Sequence, residues 1–233
     1  MHLFYETDIS GPTAELNEEE SFHAIKVLRL KIADRIRLTD GKGAFYDAEI
    51  LSATGKKLLL SILAKQEQTP PKARLHIAIA PTKNIERIEV FLEKATEMGI
   101  TEISLLLCNR SERRNVRHDR LEKVVVSAAK QSLKAYMPKL NDLMPFADFV
   151  KKENLPQAKY LAWCSEGEKK EIQAEVKPNT DLLVLIGPEG DFTPAEAALA
   201  QQAGFGLLTL GDARLRTETA GIFVASVFNF VNL

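Results

Sequence analysis

Apolar and polar positions change rhythm partway along the 233 residues. Up to about residue 64 the apolar positions come in short, mostly alternating runs. Leu3-Phe4-Tyr5 reads as a short strand, and Arg35-Ile36-Arg37-Leu38-Thr39 alternates charged with apolar residues, as a half-buried strand does. A turn at Asp40-Gly41-Lys42-Gly43 sends the chain back through 44–51, and Gly55-Lys56-Lys57 turns it again into 58–63. Glu18-Glu19-Glu20 ahead of Phe22, Ile25, Val27 and Leu28 predicts a short helix with an acidic first turn. Several short strands at this spacing predict a small barrel. The linker QEQTPPK (66–72) follows, stiffened by Pro70-Pro71. It separates an expected first domain over 1–68 from a second over 73–233.

Beyond the linker, strand-like runs alternate with helical periodicity. Strands are predicted at 75–80, 103–108, 160–164, 182–186 and 207–210. The third of these leads into a loop at Ser165-Glu166-Gly167. Ile85, Ile88, Phe91, Leu92, Ala95 and Met98 form one apolar helix face that Gly99 ends. Further helices are predicted over 118–135 and 217–230, with a short one over 143–150. Thr193-Pro194-Ala195-Glu196 opens another with three start signals: a capping Thr, Pro in the first turn, and Glu three residues after the cap. This order predicts an α/β domain with a mainly parallel sheet covered on both faces. Two of its buried strands end in Gly-containing loops, Gly187-Pro188-Glu189-Gly190 and Gly211-Asp212. Ligands of open α/β sheets sit just beyond the carboxyl ends of the strands, so these loops are the candidate site. Bare backbone at Gly187, Gly190 and Gly211 would let a flat ligand approach closely, with Leu210 and Leu215 as apolar walls and Glu189 as an acceptor for a hydroxyl.

Composition narrows the chemistry. An apolar share of 45% with 27% charged residues is that of a globular protein. No apolar run approaches the roughly 20 residues of a membrane span, and the start MHLFYETDIS has no signal-peptide pattern. Cys108 and Cys164 sit in apolar runs without metal-ligand spacing, which predicts free thiols, a cytoplasmic location and no metal site. Dinucleotide, P-loop, nucleophile-elbow and zincin motifs are missing, so the ligand of the two loops need not carry phosphate. The net charge of −1 excludes a generally basic coat, so any nucleic-acid contact must be local. Residues 109–139 hold nine basic residues (Arg110, Arg113, Arg114, Arg117, Arg120, Lys123, Lys130, Lys134 and Lys139) against three acidic ones. A local excess of that size is the footprint of a polyanion, the alternative being a solvated helix face with internal ion pairs.

The paired loops, IGPEGDF followed by LGDARLRTETA, resemble the SPOUT methyltransferases, and within them the RsmE family. His23 to Leu30 (HAIKVLRL), Asn109-Arg110-Ser111-Glu112-Arg113 and Ala129-Lys130-Gln131-Ser132 are similar to further stretches of that family. The resemblance implies a C-terminal trefoil-knotted SPOUT domain behind an N-terminal PUA-like β-barrel that binds RNA. It also implies a homodimer, S-adenosylmethionine as cofactor, and methylation of N3 of a uridine in 16S ribosomal RNA, free or in the small ribosomal subunit. Carried onto this sequence, the cofactor residues are Ile186, Gly187, Pro188, Glu189, Gly190, Leu210, Gly211, Leu215, Arg216 and Thr219. Arg29, Arg35, Arg113, Arg114, Arg117 and Gln131 would bind RNA, with Lys31 and Arg37 also facing it, while Arg110 and Arg216 would serve catalysis. The chain departs from the family at Asp191 and Leu133, where Gly is usual, and at Ala213, where Arg is usual. Two other readings stay open on residues alone: a non-catalytic RNA-binding module whose second domain only dimerises, and an α/β enzyme acting on small molecules.

Overall fold

A computed structural model describes residues 2–54, 56–165 and 167–233. Gly55 of the second predicted turn and Glu166 of the predicted loop lie outside the described residues. The chain divides into two compact units, one of residues 1–70 with 129–137, the other of 71–128 with 138–233.

In the first unit, β1 (Leu3–Tyr5), β2 (Thr13–Leu16), α1 (Glu18–Phe22), a π-helical turn (His23–Val27), β3 (Arg35–Thr39), β4 (Ala44–Thr54) and β5 (Lys57–Glu67) follow in order. The sheet order is β1-β3-β4-β5-β2, parallel only between β1 and β3. The alternation in β3 works as its sequence predicts: Ile36 and Leu38 point into a core with Phe4, Leu16, Ile50, Leu58 and Leu60. Register shifts between Asp47 and Ala48 and between Ile50 and Ser52 mark bulges that bend the long hairpin over this core. Asn17 caps α1 by accepting from Glu20 N, and Ser21 Oγ links the helix to β5 by accepting from Leu58 N at 3.0 Å. The strand β2, four residues long, is too short for its alternation to stand out in sequence.

The segment 129–137 joins this unit although it lies far along the chain. Ala135 O accepts from Thr39 Oγ1 (3.2 Å) and Gly43 N (3.0 Å), and Met137 N donates to Gly41 O at 2.9 Å. No local pattern announces bonds between residues so distant in sequence.

The second unit runs β6 (Leu75–Ile79), α2 (Ile85–Glu97), β7 (Glu102–Leu107), α3 (His118–Gln131), β8 (Lys139–Pro145), α4 (Phe146–Phe149), β9 (Ala158–Ala162), β10 (Lys170–Glu171), α5 (Ile172–Glu175), β11 (Leu182–Ile186), α6 (Pro194–Gln202), β12 (Gly206–Thr209) and α7 (Thr217–Asn232); from Ala129 on, α3 counts with the first unit. The sheet order is β10-β12-β9-β11-β6-β7-β8, with every described pairing parallel. Every residue of β11 is buried, as expected of a central strand covered on both faces. Two strands were not expected from sequence. The stretch predicted as a helix over 143–150 is instead the end of β8 followed by the four-residue α4. As an edge strand with both faces half exposed, β8 carries neither an apolar run nor a clean alternation. The helix predicted to reach 135 stops at Gln131, and Leu133 follows with a left-handed φ of 53°.

Helix α7 crosses closely over the sheet because Gly221 lacks a side chain. A Cβ there would lie 2.6 Å from the Phe91 ring of α2 and 3.2 Å from Ile79 Cδ1 of β6.

A polar cluster sits where β6 and β7 begin. Asn141 Nδ2 donates to Glu102 Oε1 (2.7 Å) and to Ser104 Oγ (2.9 Å). The Ser104 hydroxyl also shares a hydrogen bond with His76 Nε2 at 2.9 Å. The other ring nitrogen of His76, Nδ1, lies 4.0 Å from Glu102 Oε2. Burial pushes the His76 pKa down to about 4, against the partial offset of the Glu102 carboxylate. An unfolded histidine titrates near 6.5, so the unfolded chain takes up a proton that the folded chain refuses. His76 therefore stabilises the fold fully above pH ~6.5, and that contribution is lost as pH falls towards the folded pKa, amounting to roughly 3 kcal/mol in all. Urea midpoints measured from pH 7 to 4 should fall more steeply for the native chain than for His76→Gln; parallel curves would remove His76 from the pH response.

Candidate cofactor cleft at the carboxyl edge of the sheet

Three strand-end loops build the site. After β11 the chain passes through Gly187-Pro188-Glu189-Gly190 to Asp191, whose φ of 60° is left-handed. This explains one departure noted in the sequence: where glycine is usual, aspartate is among the few residues that tolerate such a backbone. Its carboxylate is also used, with Oδ1 accepting from Phe192 N (2.7 Å) and Oδ2 from Cys164 N in the loop after β9 (3.0 Å). Thr193 and Glu196 then form the predicted capping box of α6. Glu196 Oε2 accepts from Thr193 N and Oγ1, and Oε1 reaches across to accept from Asn109 N after β7 at 2.8 Å.

After β12, Gly211 adopts a φ of 105°, a conformation that side-chain-bearing residues rarely take. Arg216 is the N-cap residue of α7 but makes no capping bond with its side chain. Thr217 Oγ1 donates to Gly187 O at 3.1 Å, joining the start of α7 to the β11 loop. From the β9 side, Trp163 Nε1 donates to Phe192 O at 3.3 Å.

Together these loops enclose a cleft of about 620 Å³. Nine of the residues expected at a cofactor line it: Ile186, Gly187, Pro188, Glu189, Gly190, Leu210, Gly211, Leu215 and Arg216. Thr219 does not. It is exposed, between Thr217 and Ala220, the two buried residues of α7 that do line the cleft. Sequence reasoning also missed Trp163, Cys164, Asp191 and Asp212, which line it too. Trp163-Cys164 closes the strand predicted over 160–164, but that strand ends at Ala162 and leaves the pair in the loop that follows. Burial, followed by the nearby Asp191 charge, raises the Cys164 thiol pKa, and burial raises that of Cys108, so both sulfurs stay protonated.

The basic stretch is more heavily engaged than its sequence suggests. Arg110 NH1 donates to Gly190 O at 2.7 Å, so this candidate catalytic group braces the cleft loop and is not among the lining residues. Arg113 donates from Nε to Thr82 O (2.9 Å) and from NH2 to Lys83 O (2.5 Å), which ties it to the loop after β6 and not to solvent. Glu189 Oε1 holds the same loop by accepting from Lys83 N at 2.9 Å. Arg117 pairs with Asp119, Arg120 with Glu89, Lys130 with Glu20 and Lys139 with Glu102. Three of those four carboxylates come from outside 109–139, where a count along the sequence cannot see them. Arg114 is exposed, with no side-chain partner among the described residues. In the first unit Arg37 pairs with Asp47 at 2.8 Å, while Arg29, Arg35 and Gln131 are exposed.

A parallel α/β sheet with a loop-built cleft at its carboxyl edge has the form of an α/β ligand-binding domain, and the chain carries a small β-rich unit in addition. An RNA methyltransferase domain model matches residues 69–229, and an RNA methyltransferase PUA domain model matches 16–63. Ribosomal RNA small subunit methyltransferase E of Rickettsia conorii is 33% identical over 216 residues, covering 89% of this chain and 86% of that protein. A probable rRNA-methyltransferase from Porphyromonas gingivalis superposes with a TM-score of 0.91 at 38% identity, over 100% of this chain and 98% of that one. A methyltransferase from Legionella pneumophila, solved with S-adenosylmethionine bound, superposes with a TM-score of 0.88 at 26% identity, over 99% and 97%. The chain belongs to the ribosomal RNA small subunit methyltransferase E family. It is therefore an enzyme whose methyl donor is S-adenosylmethionine.

The cleft suits that donor. Ile186, Leu208 and Leu215 offer apolar surface, and the lining also holds Glu189, Asp191 and Asp212 together with Arg214 and Arg216, a mixed lining for a ligand that carries a carboxylate and cationic centres. Substituting Gly211→Val tests the β12 loop, because nothing lies within 4 Å of the added Cβ and only backbone strain acts. The dissociation constant for S-adenosylmethionine should rise roughly tenfold or more, equivalent to about 1.4 kcal/mol. Calorimetry or the emission of Trp163, the single tryptophan, would report it; an unchanged constant in a folded variant would exclude this loop from binding.

Proposed function

We propose that this chain methylates N3 of a uridine in small-subunit ribosomal RNA, and that it works as a homodimer. The observation that carries the reading is the pair of guanidinium groups, Arg214 and Arg216, on the wall of the cleft without a side-chain partner among the described residues. Bound S-adenosylmethionine supplies an electrophilic methyl group. Uridine N3 attacks it in line and gives up its proton, so negative charge spreads over N3 and the two flanking carbonyl oxygens. A guanidinium on that wall stabilises the charge as it forms, which lowers the barrier. In this reading Arg216, at the start of α7, takes that role, whereas Arg110 supports the loop that shapes the cleft. The target base must leave any stack to enter. Arg114, Arg117 and the cations of the PUA-like unit would hold the RNA backbone. In this reading the C-terminal segment is threaded as a trefoil knot and ends in α7, which packs against α2, β6 and β11.

The dimer rests on α7. Its buried side comprises Ala220, Gly221, Val224, Ala225 and Phe228, yet Phe230 is 79% exposed and Ile222, Phe223 and Val227 are only partly covered. Val90 of α2 is exposed as well. A second copy covering that face would account for apolar surface in excess of what one core needs.

Three outcomes follow. Ribosomal RNA from a strain lacking this gene should lose one methyl group from a small-subunit uridine, and expression of the chain should restore it; mass spectrometry showing an intact modification in the deletion strain would refute the assignment. Arg216→Ala should cut turnover at saturating RNA by roughly tenfold to a hundredfold, whereas Arg114→Ala should lower RNA affinity and flatten its salt dependence by about 0.7 to 0.9 in log–log slope with cofactor affinity unchanged. Light scattering at micromolar concentration should give twice the chain mass, and a monomer would count against the dimer.

A further inference from the structure

The stretch from Phe22 to Arg35 has three peculiarities at once. Its backbone is irregular: His23–Val27 forms a π turn, closed by Leu28 N donating to His23 O at 3.0 Å, and π turns gather at functional sites. Arg29 and Ala33 follow with left-handed φ angles of 56° and 72°. Such angles are unfavourable for a residue that bears a side chain. Strained residues persist where their surroundings hold them, and here Ala33 N donates to Ile50 O (2.8 Å) and Asp34 Oδ2 accepts from Lys31 N (2.7 Å).

Its outer surface is also unusual. Ala24, Ile25, Leu28 and Leu30 already supply the inward contacts to the core. Phe22 is nevertheless 61% exposed, Val27 58% and Ile32 63%. Single exposed apolar residues need no explanation, but here three fall within eleven positions, and one of them is aromatic. Phe22, Lys26 and Val27 stand one turn apart on the same side of the helical stretch.

Finally, the cations here are free. Lys26, Arg29, Lys31 and Arg35 are all exposed, and none has a side-chain partner among the described residues. The neighbouring carboxylates are occupied, Glu18 with Lys56, Glu20 with Lys130, and Asp34 with the Lys31 backbone. This contrasts with 109–139, where most cations are already paired.

We infer that Phe22 and its fringe of unpaired cations form a stacking platform for an unpaired nucleobase of the RNA substrate, so that this unit engages single-stranded RNA and not a duplex. The inference rests on the proposed RNA substrate. An aromatic face stacks on any base, and flanking cations follow the backbone on either side. A duplex hides its base faces and would find no use for Phe22. A protein partner would leave four unpaired cations needing acidic counterparts, so the charge favours a nucleic acid.

The test uses the full-length enzyme and a short, labelled, single-stranded oligoribonucleotide of mixed sequence, with a blunt RNA duplex as comparison. Phe22→Ala should weaken single-strand binding roughly fivefold or more, with the salt slope and the duplex affinity unchanged. Phe22→Trp should keep the affinity, and its added emission should be quenched by the oligonucleotide beyond any change in the native protein. Unaltered single-strand affinity in Phe22→Ala, equal losses for strand and duplex, or an unquenched Phe22→Trp would overturn the inference. So would a Phe22→Ala enzyme that binds free RNA normally yet fails only on assembled subunits, since the face would then meet a protein. A native enzyme that binds neither RNA would instead refute the RNA reading itself.

Discussion

The Glu196 carboxylate holds the active edge together. A parallel sheet delivers every strand to the same edge, and each loop there emerges with backbone groups that the ladder no longer satisfies. Glu196 caps its own helix with one oxygen and takes Asn109 N with the other. The β7 loop is thereby fixed to the β11 loop, and Arg110 adds a second bond between them through Gly190 O. Glu189 and Arg113 draw in the β6 loop, and Asp191 and Trp163 the β9 loop. Four loops far apart in sequence are thus joined by charged or polar side chains that grip backbone groups. Charge-assisted bonds of this kind are stronger than neutral ones, and they fix the direction of the backbone they hold.

That arrangement explains which parts of the fold and site were legible in the sequence. A buried central strand such as β11 and a capping box such as Thr193–Glu196 depend on neighbours along the chain, so their patterns could be read directly. The glycine loops could be read for the same reason. Features set by distant partners could not. The half-exposed edge strand β8 lacks a pattern of its own, and the attachment of 129–137 to the first unit depends on Ala135 meeting Thr39 and Gly43. The basic stretch is the clearest case. A charge excess counted along a sequence assumes that the charges stay free, but Glu20, Glu89 and Glu102 arrive from elsewhere, and Arg113 is spent on two carbonyls. Of the arginines expected to touch RNA there, Arg114 alone is left without a partner among the described residues.

Two departures from the family pattern share one physical cause. Asp191 and Leu133 both stand at left-handed backbone positions, where glycine is the default. Aspartate accommodates the position with a short polar side chain and turns it into a link between the β9 and β11 loops. Leucine has no such means, and its side chain is 61% exposed beside the helix end it follows. The first substitution is compensated by new bonds. For the second, the structure shows no compensating side-chain contact.

The cleft is fastened unevenly. The β6, β7, β9 and β11 loops are cross-linked by side chains, whereas the β12 loop is held near Gly211 by longer contacts, Gly211 N to Thr209 Oγ1 at 3.3 Å and Thr209 Oγ1 to Gly211 O at 3.4 Å. Leu210, Gly211, Leu215 and Arg216 all belong to that less-fastened wall, and so does Arg214. Local stability is lowest where few bonds must break, and binding elements are drawn from that end of the range. One side of the cleft is therefore a rigid template set by Glu196 and its partners. The other carries the guanidinium groups assigned to the developing charge and can adjust to what the template holds. Methyl transfer needs donor and acceptor aligned within a narrow range, and a fixed wall facing an adjustable one allows the ligand to complete that alignment.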